Sequence, residues 1–454
     1  MGYAMRLKER SFRVLSGLMK TGALLRQGDF KTIHKRLNTV MFPQAETISI
    51  SENIRPNPRA LGSQEPKVND TATSAKKVLI IDRNFDRLGS HISLSEIIMP
   101  LIGPLKDNNI RLELACLENH GHLANAYKEK LVLHELNHFP KSMSLPRRYE
   151  DEVQQLATEL GAFNPDVIYA NSVDMFPVID AARIASIPTI WNIREAQNWR
   201  QRFSDRHADI VARALACFSY PEQVIFVSQT SAENWQEFTR IDKTSVIRTA
   251  ISPKYFQKNT SKVKELRLRL GVPKDDVILL TVGTLCEDKG QLDAAHAISH
   301  LSAEMRDKIH WVFIGHNKPS YLRQLKQAWP QDHAQKHLHF DGHIEDCVPY
   351  YYAANALVSC SRTEALPRNI LEGKLAGLPI ISSEIPGSRE AAGLYQAALF
   401  YDLGDIETLA SHIQNASVKS AMIANTNIDE ALADYKFMLD KYRHQIESIC
   451  GDSL

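Results

Sequence analysis

Short apolar runs alternate with amphipathic segments along most of this chain, and the alternation comes in two series. The first opens with KKVLIIDRNF, where Val78–Ile81 has the continuous apolar character of a strand buried on both faces. A helical pattern follows near Ser93–Ile102, then strand-like RLELACLE and LVLHELN, a helical pattern over Tyr149–Leu160, and NPDVIYANS. DAARIASIPTIWNI reads as helix then strand; VIFVSQTSAENWQEF reads as strand, loop and helix, with Ser228 to Ser231 as capping candidates. The second series runs DVILLTVGTL, LDAAHAISHL, KIHWVFIGH and YLRQLKQAW, then short strands in HLHFDG, ALVSCS and PIISS. Its helix ILEGKLAG ends at Gly377, which suits a left-handed cap. Strands alternating with helices imply parallel sheets covered on both faces. Two α/β domains are expected, joined near residues 248–256, with a terminal helix over about 426–449.

Residues 1–43 precede the first series and are basic, with Leu7, Val14, Leu18, Phe30, Ile33 and Leu37 at helical spacing. One or two short amphipathic helices are expected there. Such a segment docks on an anionic membrane surface, peripheral at its inner face, or packs as an arm on its own protein or a second subunit. Gly17, Gly22 and Gly28 weaken a continuous helix. Its apolar run is broken by Arg13 and Lys20, which makes a poor signal peptide. Residues 44–75 are polar and interrupted by Pro56, Pro58 and Pro66, so they read as a linker. No stretch approaches the roughly 18–20 apolar residues of a membrane-spanning helix. Over 454 residues, 54 basic side chains face 53 acidic ones, which gives no support to a nucleic-acid binder working through bulk charge. The 6 cysteines form no C-x-x-C pair, so a cytoplasmic protein with reduced thiols is expected rather than a zinc ribbon or disulfide framework.

In open parallel sheets, ligands bind beyond the carboxyl ends of the strands. Three loops fall there. DRNFDRLGS carries Gly89 but no G-x-G-x-x-G and no G-x-x-x-x-G-K-[ST], so nicotinamide, flavin and common ATPase chemistry are unsupported. Gly89 either admits a phosphate to the backbone or is an ordinary turn glycine. VGTLCEDKGQ offers Gly283 for close backbone approach and Lys289 as a point charge for phosphate. SCSRTEALPRNILEGKLAGLPIISSEIPGSREAA places Glu364 in a loop before Pro367 and Glu372 inside the helix that follows. A loop carboxylate suits sugar hydroxyls and one inside the helix suits a ribose; two solvated glutamates are the alternative.

Taken together, VGTLCEDKGQ, FDGHIEDCVPYYYAANALVSCSRTEALPRNILEGKLAGLPII and SSEIPGSREAA resemble the donor domain of retaining glycosyltransferases of the GT-B type, family four. NPDVIYANS, IPTIWNIRE and VIFVSQTS resemble the acceptor domain of the same family, and the likeness spans roughly residues 76–430. The resemblance implies two Rossmann-like domains facing across a cleft, with an N-terminal helical extension. The division is then extension 1–43, linker 44–75, acceptor domain 76–248, nucleotide-sugar donor domain 249–430 and C-terminal helix 431–454. It implies a hexosyltransferase that moves a sugar from a nucleotide-diphosphate donor to a glycan or lipid-linked acceptor with retention, in surface polysaccharide or glycoconjugate synthesis. No metal and no cofactor beyond the donor is required if lysine and amides neutralise the diphosphate. Glu364 and Glu372 match the two glutamates of the family's E-x7-E, implied at the donor sugar and the ribose, and Lys289 matches its diphosphate lysine. Gly89 falls at the glycine-rich phosphate loop, and Glu390 matches a glutamate after the family's Gly-Gly, here Pro386–Gly387. Gly283, Leu366, Arg368 and Asn369 complete the implied donor side; Arg194 and Glu195 are acceptor-side candidates.

Three positions depart from the family. The phosphate-loop arginine is Thr284, so Arg368 or another base supplies that charge; Arg194 stands where a histidine is usual; Thr249–Ala250 replaces the Asn-Gly before the interdomain linker. Thr284 motivates an alternative, a GT-B subunit that binds nucleotide or glycan without turnover, and a sugar-nucleotide epimerase shares the architecture. His134-Glu135-Leu136-Asn137-His138 is a literal H-E-x-x-H and would bind zinc on a helix, as a metalloprotease does; on a strand its residues point to opposite faces. His333, His337, His339 and His343 form a second histidine group, with metal binding or helix-end and loop positions as its readings.

Overall fold

The computed structural model describes residues 75–84, 89–118, 127, 130–141, 143–418 and 428–451. The expectations for residues 1–43 and for most of the 44–75 linker fall outside these. The chain forms two α/β bodies. In the first, β1 (Lys76–Asn84), β2 (Ile110–Glu118), β3 (Val132–Glu135), β4 (Val167–Asn171), β5 (Thr189–Ile193), β6 (Gln223–Phe226) and β7 (Thr244–Val246) pair in the order β3-β2-β1-β4-β5-β6-β7. In the second, β8 (Val277–Val282), β9 (Ile309–Ile314), β10 (Leu338–Gly342), β11 (Ala356–Ser359), β12 (Ile380–Ser383) and β13 (Ala398–Tyr401) pair in the order β10-β9-β8-β11-β12-β13. Every strand pairing among the described residues of the two sheets is parallel.

The apolar runs are strands because both of their faces are covered. Along β1, Leu79 and Ile81 pack in one core with Tyr149, Leu156 and Trp191, while Val78 and Ile80 pack in another with Leu94, Ile97 and Ile98. β8 divides likewise, Leu279 on one side and Ile278 and Leu280 on the other. The capping reading at Ser228 holds: its hydroxyl accepts the Ser231 N–H at 3.0 Å and starts the helix Gln229–Trp235. The helix Arg368–Leu375 is followed by Gly377 at φ 72°.

β7 and β13 are not in the sequence reading. They have 3 and 4 residues, and most of their side chains are only half-buried, so neither shows a sustained apolar run. The last helix, Ile428–Gly451, turns back from the second body onto the first. Its Tyr435, Met438, Tyr442, Ile446 and Cys450 join the core that holds Ile97 and Leu101. The Tyr435 hydroxyl donates to the Glu96 carbonyl at 2.8 Å.

Candidate active site

Each sheet reverses its strand order once, between β1 and β4 in the first body and between β8 and β11 in the second. The crevice beyond such a point is where open α/β sheets take ligands. A cavity of about 360 Å³ lies at the second of these. Gly283, Thr284, Lys289, Glu364, Leu366, Arg368, Asn369 and Glu372 line it from the second body; Ser93 and Arg194 line it from the first.

Glycines bring the walls together. Gly283 follows β8 and Gly315 follows β9, at φ 144° and 141°, a region L side chains rarely adopt. A Cβ on Gly315 would stand 2.2 Å from the Gly283 carbonyl oxygen, so only glycine lets these strand ends approach. The Gly283 N–H donates to Ile314 O at 2.9 Å and Asn369 Nδ2 donates to Val282 O at 3.1 Å. Gly290, at φ 61°, seats the Lys289 turn on the segment after β11; a Cβ there would lie 2.3 Å from Cys360 O. That contact sets Lys289 beside Glu364.

The Lys289 ammonium is ion-paired to Glu364 Oε1, which also accepts the Ser361 hydroxyl at 2.8 Å. Burial pulls the lysine's pKa down, but the adjacent Glu364 carboxylate more than offsets this and holds it above its ordinary value. Glu372 lies deeper, 7% exposed. Its Oε1 accepts Arg368 Nε at 2.7 Å and its Oε2 accepts the Tyr351 hydroxyl at 2.6 Å. Burial, with Glu372 alongside, keeps the Tyr351 phenol protonated far above its usual range. Arg368 then reaches into the other body: Nη1 and Nη2 donate to Glu96 at 2.6 and 2.8 Å. Burial works against its charge, but Glu96 and Glu372 outweigh it and hold the guanidinium firmly protonated.

The wall contributed by the first body is built on a buried polar layer. Asn171 Nδ2 donates to Asp82 at 2.8 Å, Asn192 Nδ2 to Asn171 Oδ1 at 2.9 Å, and the Tyr442 hydroxyl to Asn192 Oδ1 at 3.2 Å. Ser172, just past β4, adopts φ 85°, a strained conformation for a residue with a Cβ and one that clusters at functional sites. Glu195 braces this end: its Oε2 accepts the N–H groups of Val173 and Arg194, each at 3.0 Å.

Residues 262–428 match the family model of glycosyl transferases group 1. The chain carries a group 1 glycosyl transferase domain in a GT-B fold. Over 240 residues it is 27% identical to the Bacillus subtilis (strain 168) protein named as a teichuronic acid biosynthesis glycosyltransferase, TuaC. That match covers 52% of this chain and 57% of the relative, less than two thirds of its length. Anabaena Alr3699/HepE, solved with UDP and glucose, superposes with a TM-score of 0.69 at 19% identity over 82% of this chain and 100% of its own. WaaG, a glycosyltransferase involved in lipopolysaccharide biosynthesis, gives 0.60 at 14% identity over 82% of this chain and 99% of its own.

Within the group 1 domain the structure gathers Glu364, Glu372, Lys289, Gly283, Thr284, Leu366, Arg368 and Asn369 on one cavity. Gly89 opens the helix Gly89–Asp107, whose Ser93 reaches the same cavity; residues 85–88 of its loop lie outside the described set. Glu390 is placed differently from the donor role the resemblance implied. Its carboxylate accepts the N–H groups of Gln229 and Thr230 at 2.8 and 2.9 Å, the Thr230 hydroxyl at 3.0 Å and Arg248 Nε at 2.9 Å, all from the first body. The sequence reading did not single out Glu96, Tyr351 or Gly315. Only Gly315 had a visible signal, a glycine directly after the strand KIHWVFI, as Gly283 follows VILLTV.

The histidine motifs do not form ligand sets. His134 and Glu135 lie on β3, not on a helix, which removes the spacing argument for zinc protease chemistry. His134 Nε2 pairs with Glu113 at 2.8 Å and His138 Nδ1 with Glu159 at 3.1 Å. His333 uses both ring nitrogens, on Trp329 Nε1 and Ile309 O, each at 2.8 Å. His343 instead lines the cavity, stacked on His316 with centroids 4.6 Å apart. Among the described residues no group of three or more His, Cys, Asp or Glu is placed to hold a metal ion. Nor is any helix among them long and apolar enough to cross a membrane.

Proposed function

We propose that the chain is a retaining glycosyltransferase that takes a sugar from a nucleotide-diphosphate donor to a glycan or lipid-linked acceptor of a cell-surface polysaccharide. The observation that carries this reading is the shared cavity of Lys289, Glu364 and Glu372 at the strand-order reversal of the group 1 domain, facing the first body. Glu372 takes the ribose, from a carboxylate already fixed by Arg368 and Tyr351. Lys289 and backbone amides near Gly283 take the diphosphate. Glu364 faces the donor sugar. Charge builds on the departing diphosphate in an oxocarbenium-like transition state, and a preformed cation stabilises it without reorganising. The leaving phosphate accepts the acceptor's proton, so no covalent nucleophile is assigned. Facing bodies exclude water and limit hydrolysis of the donor. HepE, solved with UDP-glucose, favours a uridine donor as the first trial. The likeness to TuaC supports the polysaccharide acceptor. A peripheral membrane position for residues 1–43 belongs to the same reading.

Calorimetric titration with UDP, GDP, dTDP, CDP and ADP tests it, on wild type and Glu372→Ala. Binding of one nucleotide, weakened by the substitution, is expected. A folded protein that binds none of the five would falsify the reading. Turnover of the matching nucleotide sugar under saturating acceptor separates an enzyme from a non-catalytic binding subunit. The anomeric configuration of the product, read by NMR, tests retention.

A further inference from the structure

We propose that Arg194 binds the donor diphosphate from the opposite wall and supplies the positive charge that Thr284 does not. The inference rests on the nucleotide-sugar reading of this cavity.

Among the described residues, Lys289, Arg368 and Arg194 are the lysine and arginine side chains that line it. Two of them already have carboxylate partners. Lys289 is paired to Glu364. Arg368 spends all three nitrogens on carboxylates, Nε on Glu372 and both Nη atoms on Glu96. Its charge is therefore balanced before any ligand arrives, and it is a poor replacement for the arginine that Thr284 lacks.

Arg194 is built differently. Its Nη1 is buried and has no hydrogen-bond partner among the described residues. The neighbouring carboxylate does not neutralise it, because Glu195 Oε2 is turned to the backbone N–H groups of Val173 and Arg194. A buried donor left without a partner is unfavourable, and most native structures avoid it. Arg194 itself lines the cavity, so an anionic ligand there meets its guanidinium. The guanidinium also has phenols for neighbours. It lies close enough to the phenols of Tyr169 and Tyr442 for its charge to act on both, against the burial that pushes Tyr442 up to about 12. A planar guanidinium meets phosphate oxygens with two parallel hydrogen bonds, which an ammonium cannot do. A diphosphate in this cavity would then be held by Lys289 from one body and Arg194 from the other, so donor binding would tie the two bodies together.

The test is calorimetry of the full chain with UDP, UMP and uridine, with GDP, ADP, CDP and dTDP run alongside. It uses wild type, Arg194→Ala, Arg194→Lys and the double variant Arg194→Ala/Thr284→Arg, with circular dichroism to establish folding. Arg194→Ala is expected to raise the UDP Kd about tenfold or more, or about 1.4 kcal/mol. Uridine affinity is expected to stay unchanged. Arg194→Lys recovers only part of the loss, and the added arginine at 284 restores a larger share. Should Arg194→Ala not fold, Arg194→Gln is read in the same way. Wild-type UDP affinity in the folded variant overturns the assignment, as does an equal loss for uridine. Wild type binding none of the nucleotides would take down the donor reading and Arg194 with it. Wild-type binding that survives the substitution takes down Arg194 alone.

Discussion

The second body brings its cavity charges already neutralised, whereas the first brings one that is not. Lys289 and Arg368 are each held by glutamate, and the turn that carries Lys289 is seated by Gly290, whose Cβ position is occupied by the Cys360 carbonyl oxygen. Across the cleft, Arg194 lies near the phenols of Tyr169 and Tyr442 with a buried Nη1 unpartnered among the described residues. A wall whose groups are paired holds its shape without ligand and suits recognition. A wall with an uncompensated charge changes most when ligand arrives and suits coupling. The two bodies also meet through carboxylates sent in opposite directions: Glu96 of the first engages Arg368 of the second, and Glu390 of the second caps a helix of the first.

The strongest test of the paired wall is Glu364→Gln. If Glu364 acts on the developing charge, kcat falls roughly a hundredfold to a thousandfold while the UDP Kd holds within a few fold. Steady-state kinetics with calorimetry decides: a Kd that rises as far as kcat falls would make Glu364 a binding group only. The next effect in size is structural. Gly315→Ala puts a methyl group 2.2 Å from a carbonyl oxygen at φ 141°, and a loss of about 3 kcal/mol is expected. A denaturant midpoint equal to wild type would show that the β8 and β9 ends separate freely.

Not all of this was open to a reader of the sequence. The strands of both sheets with four or more mostly buried residues were visible, because a strand covered on both faces must be apolar throughout. Glu364 and Glu372 were visible through their setting of strand, loop, Pro367 and helix and through the resemblance to the family's E-x7-E, since two glutamates eight residues apart say little by spacing alone. Glu96 was not: it lies 272 residues from Arg368, and nothing local to either marks the pair. The packing of the terminal helix on the first body was hidden for a related reason, since amphipathic spacing shows that a face is buried but not against what. The role of Glu390 was concealed because a motif glutamate can serve a ligand or a neighbouring domain with the same residue type.

A third prediction separates the bodies by acid. In the second body, His310 is buried beside Asp276, His337 and His339. Burial lowers its pKa to about 4; Asp276 opposes this, and the two histidines add to it. A histidine depressed from about 6.5 is neutral in the fold, so its protonation favours unfolding. Stability is therefore full above about pH 6.5 and falls as the pH drops toward 4, by about 2 kcal/mol at pH 5. Denaturant titrations at pH 7 and 5 are expected to show this slope in wild type and a shallower one in His310→Gln. Equal stability of wild type at the two pH values would contradict it.

The smallest expected effect bears directly on how the bodies meet. Glu390 is largely buried, and although burial raises its pKa, Arg248 and the N–H groups of Gln229 and Thr230 lower it further than burial lifts it. A carboxylate whose folded pKa is depressed stabilises the contact fully above its ordinary value, about 4.3, and the contribution is lost as the pH falls through the folded value. Glu390→Gln removes the charge at any pH while keeping the size, and leaves one carbonyl oxygen for donors that now use two oxygens. A cost of about 1 kcal/mol is expected, at the interface rather than within either body. Small-angle scattering should therefore show a wider average separation in the variant at pH 7, and in wild type only when the pH falls below about 4.3. UDP should narrow the variant's distribution, because a diphosphate held by Lys289 and Arg194 bridges the same two bodies. If UDP binds the variant without narrowing it, the bodies do not close on the diphosphate, and the contrast between a recognising wall and a coupling wall fails at that point.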